Sequence, residues 1–181
     1  MPSEPLRSLG VDSRQAKPGH LFFALKGERT DGHDFLSAVA DAGACAVVRG
    51  DFPAEKLPAG GRFLRVDDVL AALGRFAAAY RATMPARIVG VTGSVGKTST
   101  KELVADLLST VGKTARTAGN FNNEIGLPLS VAGLERDCAF GVIEAGISHP
   151  GEMAPLRDVL MPDVAVMTGI GPVHVEYFDS V

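Results

Sequence analysis

The sequence predicts an α/β protein: a small N-terminal α/β domain, then a P-loop domain built on a doubly wound parallel sheet. Three observations carry this. Short apolar, β-branched runs alternate with segments of helical periodicity. The run Arg87 to Thr92 passes directly into a glycine-rich turn, Gly93-Ser94-Val95-Gly96, followed by Lys97 and Thr98. Near the middle, Met84-Pro85-Ala86 interrupts the alternation, and a proline after a helix marks a connection. The expected domains are residues 1–84 and 85–181.

Gly10 to Arg14 leads into Pro18-Gly19, a turn signal, and Leu21 to Leu25 then reads as a buried strand. Lys26 to His33 is a polar loop. From Asp34, placed as N-cap, Phe35, Leu36, Val39 and Ala40 recur at helical spacing, and Ala44 to Val48 follows as a strand, which gives β-α-β. Arg62 to Val66 is a further strand, and Asp67 or Asp68 caps a helix whose apolar face is Val69, Leu73, Phe76 and Tyr80. Pro85 ends it.

The second segment restarts with the strand Arg87 to Thr92. A helix from Thr98 to about Thr110 is expected to bury Leu103, Val104, Leu107 and Leu108, with Gly112 as its stop. After a loop over Thr114 to Glu124 come a helix through Leu129 and a strand Ala139 to Ile143 that delivers Glu144 at its end. Pro150-Gly151-Glu152 opens another helix, and a strand Asp163 to Thr168 runs toward Gly169 and His174. Phe22, Phe23 and Phe35 read as core, as do Cys45 and Cys138, which lack metal-type spacing. His20 and His149 read as structural.

In an open parallel sheet ligands gather at the carboxyl ends of strands, where Lys97, Glu144 and His174 should converge. Glycines let consecutive backbone N–H groups curl around an anion, because without a Cβ the chain reaches φ > 0 and a phosphate comes close. Lys97 would then meet the β- and γ-phosphates and Thr98 a magnesium ion, with the following helix aiming its positive end at the same anion. The strict P-loop pattern G-x-x-x-x-G-K-[ST] asks for glycine at position 91, where this chain has Val91.

A formal charge of −3 gives no long-range attraction to nucleic acid or an anionic membrane, so any bound anion must be held locally. No apolar run approaches the roughly 18 residues of a membrane span, and MPSEPLRSLG lacks the basic and apolar regions of a signal peptide. The expectation is a cytoplasmic monomer with neither nucleic-acid nor membrane partners.

Taken together, GVTGSVGKTSTKE, TAGNFNNEIGLPL, EAGISHPGEM and GPVHVEYF resemble the central domain of the Mur ligases of peptidoglycan synthesis, and VDSRQAKPGHLFFALKGERTDGHDF resembles an N-terminal domain of the same family. The resemblance implies ATP and Mg²⁺ as cofactors, with ATP held by Gly93, Ser94, Val95, Gly96, Lys97, Thr98 and Ser99. It implies metal contacts from Thr98, Glu144 and His174, and catalytic roles for Lys97, Glu144 and His174. Substrate contacts are implied for Ser13, Arg14, Lys26, Arg29, Thr30, Asp31 and His33, and for Asn120, Asn122 and Asn123. The implied reaction joins D-alanyl-D-alanine to UDP-N-acetylmuramoyl-tripeptide through an acyl phosphate. Alternatives within and beyond the family are the ligase adding the preceding amino acid, a non-catalytic nucleotide or UDP-sugar binding module, and a generic P-loop NTPase. The last would carry an aspartate where this chain has Glu144. Gly169 and Asp179 depart from the family pattern, which often has asparagine and glycine there. Family members are considerably longer, so the resemblance also implies a truncated chain that stops before a lysine, an adenine pocket and an amine-binding domain, and that is inactive alone.

Overall fold

The structure is a computed structural model that describes residues 5–172. The chain forms two compact units, residues 1–73 and 74–181, and the division falls inside the long helix Val69–Ala82.

In the first unit four parallel strands lie side by side in chain order: β1 (Ser8–Gly10), β2 (His20–Phe23), β3 (Cys45–Arg49) and β4 (Arg62–Val66). The helix α1 (Leu36–Asp41) connects β2 to β3 and buries Leu36 and Val39 against Phe22, Ala46 and Val48. Asp34 is not its cap. Asp31 caps a 3-10 turn, Gly32–Phe35, by accepting the His33 N–H, and that turn runs into α1 without a side-chain cap. The turn also carries Phe35 outward, 40% exposed, so it is not a core residue. Cys45 is half-buried rather than sealed in the core, whereas Cys138 is buried. β1 is too short for any periodicity to announce it.

The helix α2 (Val69–Ala82) starts where Asp68 accepts the Ala71 N–H, one of the donors a helix N-terminus leaves unpaired. In the second unit the strand order is β6 (Thr114–Arg116), β7 (Phe140–Glu144), β5 (Arg87–Thr92), β8 (Val164–Met167), all parallel. Strand periodicity splits each central strand between two faces. Ile88 and Ile143 point into a core shared with Leu127 and Val131 of α4 (Gly126–Ala132) and Leu156 and Leu160 of α5 (Met153–Leu160). Val91 and Val142 point the other way, onto Ala105 of α3 (Lys97–Ser109). Helices thus cover both faces, as a doubly wound sheet requires.

Two expectations change here. The helix α3 turns Ala105 and Lys101 inward, with Val104 and Leu108 half-buried, while Leu103 and Leu107 are 65% and 70% exposed. The segment expected as a loop after residue 113 contains β6, an edge strand of three residues.

Candidate active site

The phosphate loop lies where β5 ends in the middle of its sheet. Gly93, at φ 133°, has no room for a side chain, because a Cβ there would sit 2.3 Å from Thr168 Oγ1. Thr168 braces the loop by donating its hydroxyl to Val95 O at 2.6 Å, and Ser94 N–H donates to Gly169 O at 2.8 Å. Gly169, the departure noted in the sequence, therefore supports the loop through its backbone. Among the described residues the amides of Val95, Gly96, Lys97 and Thr98 have no acceptor, leaving a run of N–H donors at a helix start. Val91 explains the imperfect motif: its side chain is fully buried beneath α3, so that position belongs to the strand and not to the loop.

Lys97 Nζ donates to Gly93 O at 2.6 Å and Ser94 O at 3.2 Å, which places the ammonium over the loop. Glu144 is 1% exposed at the carboxyl end of β7, where two donors reach its carboxylate and a third bond fixes its backbone. Thr98 Oγ1 donates to Oε2 at 2.9 Å, Asn122 Nδ2 donates to Oε1 at 2.7 Å, and the Glu144 N–H donates to Thr117 Oγ1 at 3.0 Å. Of the other asparagines, Asn123 accepts the Gly126 N–H at 2.8 Å and so starts α4, while Asn120 is exposed and its carbonyl accepts the Asn122 N–H. A cleft of about 280 Å³ opens beside these groups, lined by Lys97, Asn122, Asn123, Gly146, Ser148 and Glu152. Glu152 accepts the N–H groups of Ser148 and His149, and these bonds hold its carboxyl below the usual range. His149, read from the sequence as structural, lines the cleft and pairs with Glu152 at 3.1 Å.

A hydroxyl and a carboxylate oxygen 2.9 Å apart, next to a run of backbone donors, fit a hard divalent cation beside a phosphate. Among the described residues no three His, Cys, Asp or Glu side chains cluster as a metal site, and His174 lies outside the described residues, as does Asp179.

The substrate residues expected in the first unit are brought together only in part. Ser13 and Arg14 share a 3-10 turn capped by Asp12, and Arg14 folds its guanidinium onto Asp12, whose carboxyl is held down to about 2. Lys26, Arg29 and Thr30 are exposed on a tight loop closed by the Lys26–Asp31 bridge. His33 does not join them. It is buried with both ring nitrogens engaged: Nε2 accepts the Arg49 N–H at 3.1 Å, and Nδ1 therefore donates to Asp31 at 2.6 Å. Phe52 stacks on its ring. Two residues that shape the second unit's site, Thr117 and Lys101, lie inside the quoted motifs but were given no role in the sequence.

The pattern of the Mur ligase middle domain matches residues 91–181, and that of the Mur ligase family catalytic domain matches residues 5–81. The chain belongs to the Mur ligase family. Mur ligases similar to it include the UDP-N-acetylmuramoyl-tripeptide–D-alanyl-D-alanine ligases of Bacillus subtilis, 40% identical, and Escherichia coli, 41% identical, each matched over 97% of this chain and 38% of the relative. Among solved Mur ligases, MurF from Acinetobacter baumannii superposes with a TM-score of 0.90 at 34% identity over 98% of this chain and 39% of that one. A MurF ligase from Thermotoga maritima in complex with ADP gives a TM-score of 0.84 at 33% identity, over 94% and 39% of the two chains. The chain thus spans less than two fifths of the length of these Mur ligases. Among its described residues no helix is long and apolar enough to cross a membrane.

Proposed function

We propose that this chain serves an ATP-dependent amide ligase of peptidoglycan precursor synthesis, the reaction that joins D-alanyl-D-alanine to UDP-N-acetylmuramoyl-tripeptide. The observation that carries the reading is the buried Glu144 carboxylate set against Thr98 at the mouth of the phosphate loop. ATP would lie on the amides of Val95 to Thr98, extending to Ser99, with Lys97 moving from the Gly93 carbonyl to the β- and γ-phosphates. Magnesium, held by Thr98 and Glu144 and in the sequence reading by His174, would supply charge neutralisation as the γ-phosphoryl group moves to the tripeptide carboxylate. The amine of the dipeptide then attacks the acyl phosphate and inorganic phosphate leaves. The chain's own residues position the groups and stabilise charge, which is where phosphoryl-transfer catalysis gets most of its acceleration.

Residues 1–84 would receive the UDP-linked precursor through Ser13, Arg14 and the exposed Lys26-to-Thr30 loop, and residues 85–181 the nucleotide. Asn122 and Asn123 would face the acyl acceptor across the cleft. A reaction that consumes ATP and a UDP-linked precursor belongs in the cytoplasm. The names of similar proteins, MurF and the D-alanyl-D-alanine ligases, support the choice of this member over its relatives.

The test is thermal unfolding of the wild-type chain and Lys97→Ala with ATP and magnesium. The expected outcome is a ligand-dependent rise in Tm for the wild type and none for the variant, with equal melting in the absence of ligand. Equal rises in both proteins would remove the phosphate loop from the reading.

A further inference from the structure

Lys101 has no exposed surface at all. Lysine is almost never fully buried unless its charge is paired, and an ammonium taken from water needs all three of its N–H groups satisfied. Three acceptors surround this one: Thr117 O at 2.9 Å, Gly119 O at 3.2 Å and Glu102 Oε1 at 3.0 Å. Glu102 is in turn fixed from outside by Arg116 at 2.6 Å. Two of these acceptors are backbone carbonyls of a segment with little regular structure of its own, the connection from β6 to α4.

That connection bears on one residue in particular. Its Thr117 hydroxyl accepts the Glu144 N–H, and its Asn122 amide donates to Glu144 Oε1. The other bond to the carboxylate comes from Thr98, which precedes Lys101 by three residues on the same helix. Helix α3, the connection and the end of β7 therefore form a closed ring, with Lys101 tying the first to the second and Glu144 receiving bonds from both.

We propose that Lys101 is a positioning residue: its ammonium clamps the Thr117-to-Asn122 turn onto α3, and the turn, through Asn122 on Oε1 and Thr117 on the backbone, orients the Glu144 carboxylate whose other oxygen meets Thr98. The proposal rests on the reading of Glu144 as a magnesium ligand beside the nucleotide. A methionine at 101 would fill the same volume but leave the Thr117 and Gly119 carbonyls without their donor. The turn would loosen and Glu144 would lose the fixed orientation that a metal ligand takes from its supporting hydrogen bonds.

The test measures ATP affinity of the full chain by calorimetry with magnesium and, separately, with a chelator. For Lys101→Met the metal-free affinity should stay within about two-fold of wild type, while the magnesium-dependent gain falls on the order of 10–100-fold, the range for residues that orient metal ligands. Asn122→Ala should show the same split, and the double variant little more than either, since both act through Glu144. Equal loss with and without magnesium, or no loss, overturns the proposal. A second measurement needs no variant to fold: in ¹⁵N-labelled wild type, the Lys101 ammonium should exchange with water far more slowly than that of Lys97. An ammonium exchanging like a surface lysine's overturns the clamp. A wild-type chain that binds no nucleotide removes the reading of the site, and the clamp is then decided by this exchange rate alone.

Discussion

His20 shows how a single side chain couples stability to pH. It is 2% exposed, its Nδ1 lies 2.8 Å from Ser8 Oγ, and its Nε2 has no partner among the described residues. Burial, reinforced by the charge of Lys17, pushes its pKa below the ordinary value. The unfolded chain therefore takes up a proton near pH 6.5 while the folded chain does not, so the unfolded state binds more protons below that point. Stability should fall as pH drops through this window until the folded imidazole titrates too. Urea unfolding at pH 7.5 and 5.5 should show a steeper loss for wild type than for His20→Gln, and parallel losses would mean the imidazole titrates alike in the folded and unfolded chain. At this scale the sequence was an uneven guide. Lys97, Thr98 and Glu144 stand where motif and strand end predict, because a phosphate loop dictates both spacing and residue type. The polar loop before α1 could not reveal that His33 turns inward, since its burial depends on Arg49 and Phe52, 16 and 19 positions away. Lys101 was hidden for the opposite reason, as a lysine on a helix reads as solvent-facing until its partners are known.

The helix α3 carries two apolar rows, and the element-level error was to bury both. Val104 and Leu108 approach the sheet beside Ala105, whereas Leu103 and Leu107 point to solvent. The phase is fixed by Lys101, whose ammonium must reach Thr117 and so turns its row inward. Two substitutions separate the rows. Leu107→Ser should change stability by no more than about 0.5 kcal/mol, as for other exposed positions. Ala105→Leu should cost about 1–3 kcal/mol, because added methylenes meet Val91 and Val142 with nowhere to go. Denaturant midpoints give both values, and a large loss at Leu107 would show that row to be packed. Strand and helix identities were otherwise readable from periodicity. The exceptions, β1 and β6, are three-residue edge strands held by their neighbours' hydrogen bonds more than by any pattern of their own.

At the scale of the molecule the chain divides into two units, and the proposed function divides the chemistry between them. The proposal places the UDP-linked precursor on the first unit, so titrating the ¹⁵N-labelled chain with UDP should shift amides near Ser13, Arg14 and the Lys26-to-Thr30 loop. His33 should move little, because both its nitrogens are already bonded. Arg14 must release Asp12 to meet a pyrophosphate, so the Asp12 carboxyl should rise from about 2 when UDP binds. Shifts confined to the phosphate loop would place the diphosphate on the second unit instead. The α/β class, the doubly wound second sheet and the strand-end position of the site were all legible beforehand, since alternating periods and a glycine turn after a strand leave few other topologies. Where the chain divides was less so: the proline at position 85 is visible, but the packing of the second half of α2, through Ala77 and Tyr80, is a property of the assembled core.

Strand order is also a timetable. In the first sheet every strand pairs with the next one made, so the unit can close as its chain emerges from the ribosome. In the second, β5 must wait for β7 and β8, and the turn at Gly93 is not braced until Thr168 has been synthesised. Such long-range pairings form late because the intervening chain must first be ordered. A nascent chain stalled shortly before Thr168 would hold a closed first sheet and every residue from Gly93 to Ser99, yet no braced loop: under the proposed function, the capacity to hold a nucleotide would be acquired near the end of translation of this stretch, long after the residues proposed to contact it exist.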